Sequence, residues 1–186
     1  MYKQSIVSIK YLNQYFGNGG LRRQILRNIN LEIQPGEIII LSGPSGSGKT
    51  TLLTLIGGLR TVTEGSLKVL NQELRGASDA QLIKIRRHIG YIFQAHNLLE
   101  FLTARQNVQM SLELHTKVSD QEARARSEAM LELVKLGHRV NYYPHDLSGG
   151  QKQRLSIARA IAKDPEIFVF DDSFSALDFK TDSKLR

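Results

Sequence analysis

The stretch LSGPSGSGKTT, residues 41–51, sets three glycines, Gly43, Gly46 and Gly48, between an apolar run ending at Leu41 and a leucine-rich run starting at Leu52. A turn needs one glycine at most, so this loop is built to bring bare backbone close to something. Gly43, Gly48, Lys49 and Thr50 satisfy the spacing G-x-x-x-x-G-K-[ST], with an apolar run before it and a helical pattern after it. In that spacing, successive backbone N–H groups converge on phosphate oxygens at a helix N-terminus, where the dipole also favours negative charge. Lys49 then reaches the β and γ phosphates of a nucleotide, and the Thr50 hydroxyl ligates Mg²⁺. A flexible strand-to-helix turn would not call for Lys49 and Thr50 directly after the last glycine.

A second stretch, LSGGQKQR at residues 147–154, opens a basic helix with Ser148, Gly149 and Gly150. It is an anion site of the same physical kind: exposed N–H groups, a serine hydroxyl and a helix dipole. Downstream, EIFVFDD reads as an apolar strand ending in the carboxylates Asp171 and Asp172.

The elements that must position these residues form an α/β pattern. SIVSIKYL and NINLEI alternate like half-exposed strands, and EIIILSG reads as a strand buried on both faces. KTTLLTLIGGL predicts a helix, GSLKVL a strand, DAQLIKIRRH a helix, and IGYIFQ and EIFVFDD two further buried strands. From Leu98 to Gly137 the pattern is helical, with a capping box at Ser119–Glu122 and Gly137 placed to end the helix. SGGQKQRLSIARAIAK predicts another helix.

The 186 residues, 41% of them hydrophobic, suit one ordinary domain with its own core. The absence of cysteine excludes disulfides and thiolate metal sites. No apolar run approaches the ~20 residues of a membrane span. A net charge of +7 fits a solvated basic face, an anionic ligand, a nucleic acid or an anionic lipid surface.

The glycine loop, LSGGQ and IFVFDD together resemble the nucleotide-binding domain of ATP-binding cassette (ABC) transporters, from about Ser5 to the end. The resemblance implies a P-loop NTPase of ABC type over residues 1–186. Its N-terminal part would be antiparallel β, and a helical insertion would cover 98–146. ATP and Mg²⁺ are the implied cofactors. Gly43, Ser45, Gly46, Gly48, Lys49, Thr50 and Thr51 would form Walker A, and Ser148, Gly149 and Gly150 the signature, acting in trans on a second subunit's nucleotide. Asp171 would hold Mg²⁺, largely through water, with Thr50 and Gln94. Gln94, ending IGYIFQ, would also sense the attacking water and link to membrane subunits. Asp172 stands in the general-base position, and SALD, residues 175–178, matches the D-loop. Phe16 sits where the family stacks an aromatic on adenine, with Tyr15 the alternative.

The implied partners are a second nucleotide-binding subunit, as a homodimer, and a separate transmembrane permease, with no nucleic acid. The chain would lie peripherally on the cytoplasmic face of the plasma (inner) membrane. The wording from YLNQYFGNGG to YYPHDLSGGQKQR resembles ATPase subunits of exporters for lipids, lipoproteins or macrolides, closest to the heterocyst glycolipid type.

Two departures bear on turnover. Asp172 stands where the family normally carries glutamate, and the wording DDSFSALDFKTD resembles exporters whose membrane and nucleotide domains share a chain. The family's switch histidine lies some thirty residues beyond the D-loop, whereas the last histidine here is His145, so the chain reads as a C-terminally truncated cassette. The expected function is ATP hydrolysis driving an exporter. The alternative is an ATP-binding dimerisation module with little hydrolysis. A nucleic-acid-associated cassette is disfavoured by layout, since only the helical insertion separates Gln94 from Leu147.

Overall fold

The computed structural model describes residues 4–17, 19–113 and 118–171. They divide into two compact units, Met1–Arg86 and Arg87–Arg186.

The first unit is built on a four-stranded antiparallel sheet ordered β2-β1-β3-β4, from β1 (Val7–Phe16), β2 (Arg23–Ile33), β3 (Glu64–Val69) and β4 (Gln72–Glu73). Val7, Ile9 and Leu12 of β1 are buried with Leu26, Leu67 and Val69. Two-residue alternation would put residue 11, not residue 12, on the face of Ile9. A bulge at Tyr11, with φ 52°, corrects the register, and Asn30 Oδ1 accepts from the Tyr11 N–H at 2.9 Å. The facing residue on β3 is Gly65, φ 87°, where a Cβ would lie 2.4 Å from Tyr11 O. Leu70 and Asn71, both at positive φ, turn β3 into β4. The Glu73 carboxylate then accepts from Ser66 Oγ and from the Leu67 and Arg75 N–H groups. Burial pushes its pKa up, but these hydrogen bonds and the Lys68 charge outweigh it, and the net direction is down.

Between β2 and β3 come the glycine loop and α1 (Lys49–Ile56), which buries Leu52, Leu55 and Ile56. The strand expected over EIIILSG is not formed. Residues 37–44 carry no strand pairing, and Ile38 and Ile40 are 90% and 85% exposed. Hydrophobic pattern states what a segment can bury, but a strand forms only where a neighbour supplies ladder hydrogen bonds. No strand among the described residues pairs with this run. The helix α2 (Asp79–Arg87) follows β4.

The second unit pairs β5 (Ile89–Ile92) in parallel with β6 (Ile167–Phe170), from Ile89↔Ile167 to Ile92↔Phe170. The connection between them carries α3 (Ala104–Glu113), α4 (Asp120–Leu133) and α5 (Gly149–Ile161). These pack through Ala104, Val108, Leu131, Val134, Leu136, Leu147, Leu155 and Ala158. β6 is less buried than its apolar sequence predicts: Val169 is buried while Phe168 and Phe170 are about 40% exposed. The reason is again a missing neighbour, since β5 is its only paired strand among the described residues.

Ser119 caps α4 by accepting from Glu122 N, but the helix does not run to Gly137. Lys135, at φ 59°, supplies the left-handed residue, with Lys135 N donating to Glu132 O and Leu136 N to Leu131 O. That is a Schellman closure with lysine in the glycine position. The strain at Lys135 is offset by Leu136 joining Leu131 in the same buried cluster.

Candidate nucleotide-binding site

Three glycines shape the loop before α1. Gly43, Gly46 and Gly48 have φ of 150°, 80° and 94°, all in the region that disfavours side chains. Gly48 is constrained twice, because a Cβ there would also meet Leu26 Cδ2 at 2.7 Å. It is the N-cap of α1 and has no capping side chain, which leaves the first N–H groups of the helix to a ligand or to water. Lys49 folds back across the loop, its Nζ donating to Gly43 O at 2.9 Å and Pro44 O at 3.1 Å. Gly43, Ser45, Gly46 and Thr50 are exposed, and Lys49 and Thr51 half-buried.

Phe16 and Tyr15, at the end of β1, are both half-buried. Each has a guanidinium over one ring face, Arg60 at 4.8 Å from the Phe16 centroid and Arg22 at 3.9 Å from the Tyr15 centroid. Both aromatic candidates therefore remain.

In the second unit, Ser148 is the N-cap of α5 in a complete capping box. Its Oγ accepts from Gln151 N at 3.3 Å, and Gln151 Oε1 accepts from Ser148 N at 2.8 Å. Gly149 and Gly150 have ordinary negative φ, and a Cβ on either would meet nothing within 4 Å. Among the described residues nothing requires glycine at these two positions.

Asp171 is 7% exposed and extends the β5–β6 pairing, its N–H donating to Ile92 O at 3.0 Å. The Tyr91 hydroxyl donates to Asp171 Oδ2 at 3.3 Å. Burial, and then the Asp171 charge, hold the Tyr91 phenol well above its ordinary pKa, so it stays a donor. Nothing in the sequence singled this tyrosine out from the rest of IGYIFQ, read as a buried strand. Gln94 is exposed at the second position of a turn closed by His96 N and Phe93 O at 3.0 Å. Gln94, Ser148–Gly150 and Asp171 thus belong to the second unit, and the glycine loop with Lys49 and Thr50 to the first. Asp172 and the 175–178 stretch lie outside the described residues.

The sequence model of the ABC transporter family matches residues 26–175, spanning the glycine loop, Gln94, the 147–154 stretch and Asp171. The chain belongs to the ABC transporter family. This cassette is 40% identical over 168 residues to an uncharacterised ABC transporter ATP-binding protein of Thermotoga maritima, covering 90% of the cassette and 71% of that protein. It is 43% identical over 176 residues to the methionine import ATP-binding protein MetN of Bordetella avium, covering 95% of the cassette and 48% of MetN. The cassette therefore spans about half the length of the methionine importers' ATP-binding protein. Among solved structures, the ATP-binding cassette MJ0796, dimeric and bound to ADP and Pi, superposes with a TM-score of 0.91 at 40% identity. The match covers 96% of this chain and 79% of that one. The P-loop NTPase fold of ABC type is thereby established.

Proposed function

We propose that this cassette binds ATP with Mg²⁺ at Gly43–Thr51 and, as the ATPase subunit of a transporter, drives a lipid-like substrate outward through a separate transmembrane permease. The observation that carries the nucleotide assignment is the loop itself. Three glycines hold left-handed φ around an uncapped helix N-terminus, with Lys49 poised over it. Its N–H groups take the phosphates; Lys49 leaves the Gly43 and Pro44 carbonyls for the β and γ phosphates. Phe16, with Tyr15 as alternative, offers a face for adenine.

Among the described residues no cluster of three acidic or histidine side chains could cage a metal. The oxygen donors Thr50, Asp171 and Gln94 suit Mg²⁺, which keeps several waters and shares its ligands with phosphate. When bound, the metal would neutralise charge on the transferring phosphoryl group. Asp172 is the candidate base for the attacking water.

The open glycines of α5 support action in trans. Since no side chain among the described residues excludes a Cβ at Gly149 or Gly150, we assign the demand for bare backbone to the nucleotide of a second copy. The dimeric state of the similar cassette MJ0796 supports the same pairing. The export direction rests on the wording from residue 11 to residue 154; the 43% identity to the methionine import ATP-binding protein MetN favours neither direction. No helix among the described residues is long and apolar enough to cross a membrane. The proposed place is the cytoplasmic membrane face, held there by the permease. With Asp172 in the base position, a dimerising ATP-binding module of little turnover is the second reading.

The segment after Gln94 is the proposed permease dock, with Phe101 75% exposed on it. Phe101→Glu is expected to abolish co-purification with the transmembrane permease while leaving ATP affinity unchanged. Retained assembly contradicts the dock.

A further inference from the structure

The C-terminal half of α5 and the residues just past it carry two basic side chains that donate to backbone carbonyls, one at the first residue of β5 and the other in the turn beyond its end. Lys163 Nζ donates to Ile89 O at 3.0 Å, at the first residue of the strand. One turn earlier, Arg159 Nη1 donates to Asn97 O at 2.6 Å and Nη2 to His96 O at 2.9 Å. His96 closes the turn that carries Gln94, and both His96 and Asn97 hold left-handed φ, 61° and 47°. Such residues persist only where their surroundings hold them. Among the described residues no carboxylate pairs with Arg159, so the donors of its planar fork that find partners go to the two carbonyls. Burial lowers its pKa, as expected for a guanidinium set among apolar groups without an acid.

The helix is itself anchored at this point, since Arg159 O accepts from Ser111 Oγ of α3 at 3.1 Å. At the other end of α5, roughly 16 Å away at 1.5 Å per residue, stand the exposed Ser148 and Gly149 and the half-buried Gly150. β5 packs on the same helix through Ile92 against Ile157 and Ala160. One rigid element thus joins the anion-binding stretch to the turn holding Gln94.

We propose that Arg159 is a positioning residue that fixes the turn of Gln94 to α5, so that nucleotide contact at Ser148–Gly150 and the placement of Gln94 change together. The inference rests on the nucleotide reading of those two stretches. Lysine cannot replace it in full, because a point charge does not span two carbonyls as a fork does.

Hydrogen exchange on the full chain, with and without MgATP, tests this in the parent, Arg159→Ala and Arg159→Lys. In Arg159→Ala the amides of 94–99 are expected to exchange at least about tenfold faster, the change produced by losing a hydrogen bond to a charged donor. Exchange in β1 and β2 should stay as in the parent. MgATP should protect Gly43–Thr51 in both proteins but protect 94–99 in the parent alone, and Arg159→Lys should fall between them. Unchanged exchange at 94–99 in a folded Arg159→Ala, or MgATP protection of 94–99 persisting there, overturns the proposal. If Arg159→Ala unfolds, Arg159→Lys decides: faster exchange confined to 94–99 supports the clamp, and parent-like exchange refutes it. Missing protection of Gly43–Thr51 in the parent overturns the nucleotide reading and the coupling with it, whatever the variants do.

Discussion

Lys49→Ala is expected to weaken MgATP binding by one to two orders of magnitude. A hydrogen bond to a charged group is worth about 1.5–3 kcal/mol, which is roughly 10- to 150-fold in affinity. The Lys49 ammonium donates to Gly43 O and Pro44 O. Binding therefore exchanges two neutral acceptors for charged phosphate oxygens, and the difference appears as affinity. Alanine also removes the contacts that hold the loop across its own mouth. Arginine would keep the charge without restoring binding in full, because a broad fork does not fit where a compact ammonium lies. Titration calorimetry with MgATP measures the effect, and equal affinity for Lys49→Ala and the parent would contradict the assignment of this loop.

Asn107→Ala should cost roughly 2–4 kcal/mol of stability. Asn107 lies on α3 with no exposed surface. Its Oδ1 accepts from Leu99 N at 2.9 Å, and its Nδ2 donates to Leu99 O, Leu102 O and Thr103 O at 3.1, 2.9 and 3.1 Å. Alanine leaves the Leu99 N–H without its acceptor, and a buried donor stripped of its partner costs about 1–3 kcal/mol by itself. Asn107→Asp keeps that acceptor but turns a carboxylate oxygen toward carbonyls, so it should not rescue. The proposed permease dock runs through Leu99 and Phe101, and the loss of stability should come with faster exchange there. Urea unfolding reads the first effect; a loss under about 0.5 kcal/mol would show that the segment is held by other contacts.

The glycine loop and the Ser119 cap were legible in the sequence because each rests on local stereochemistry, as the Ser148 cap also does. Gly43, Gly46 and Gly48 are required by their own φ, and Ser119 and Ser148 by the N–H group three residues on. β1, β2 and β3 were legible from their apolar pattern, but the short β4 and the bulge at Tyr11 were not, the bulge being set by Gly65 across the pair. Glu37–Leu41 and β6 were misjudged for one reason: their isoleucines and phenylalanines declare a demand for burial that only neighbouring strands can meet. Gly137 drew attention as a helix stop, yet the closure falls at Lys135, where packing of Leu136 outweighs the preference for glycine. Within the site, the phosphate-loop and signature residues could be named from spacing. Tyr91 and Arg159 could not, since each acts on a group far along the chain, and Asn107 could not, since the loop carbonyls it meets at Leu99, Leu102 and Thr103 are brought to it by the turn before α3. Asn107 alone left a trace, an amide on the apolar side of α3 beside Ala104, Val108 and Leu112.

The central claim is that ATP phosphates lie on the backbone of Gly43–Thr51, and amide resonances report that backbone directly. Labelling the 15 glycines with ¹⁵N reduces the spectrum to a set that can be assigned by substitution. At saturating MgATP the Gly46 and Gly48 resonances are predicted to move most, while Gly76 and Gly137 stay in place. Gly46 and Gly48 unmoved under those conditions, with the largest shifts elsewhere, would contradict the account.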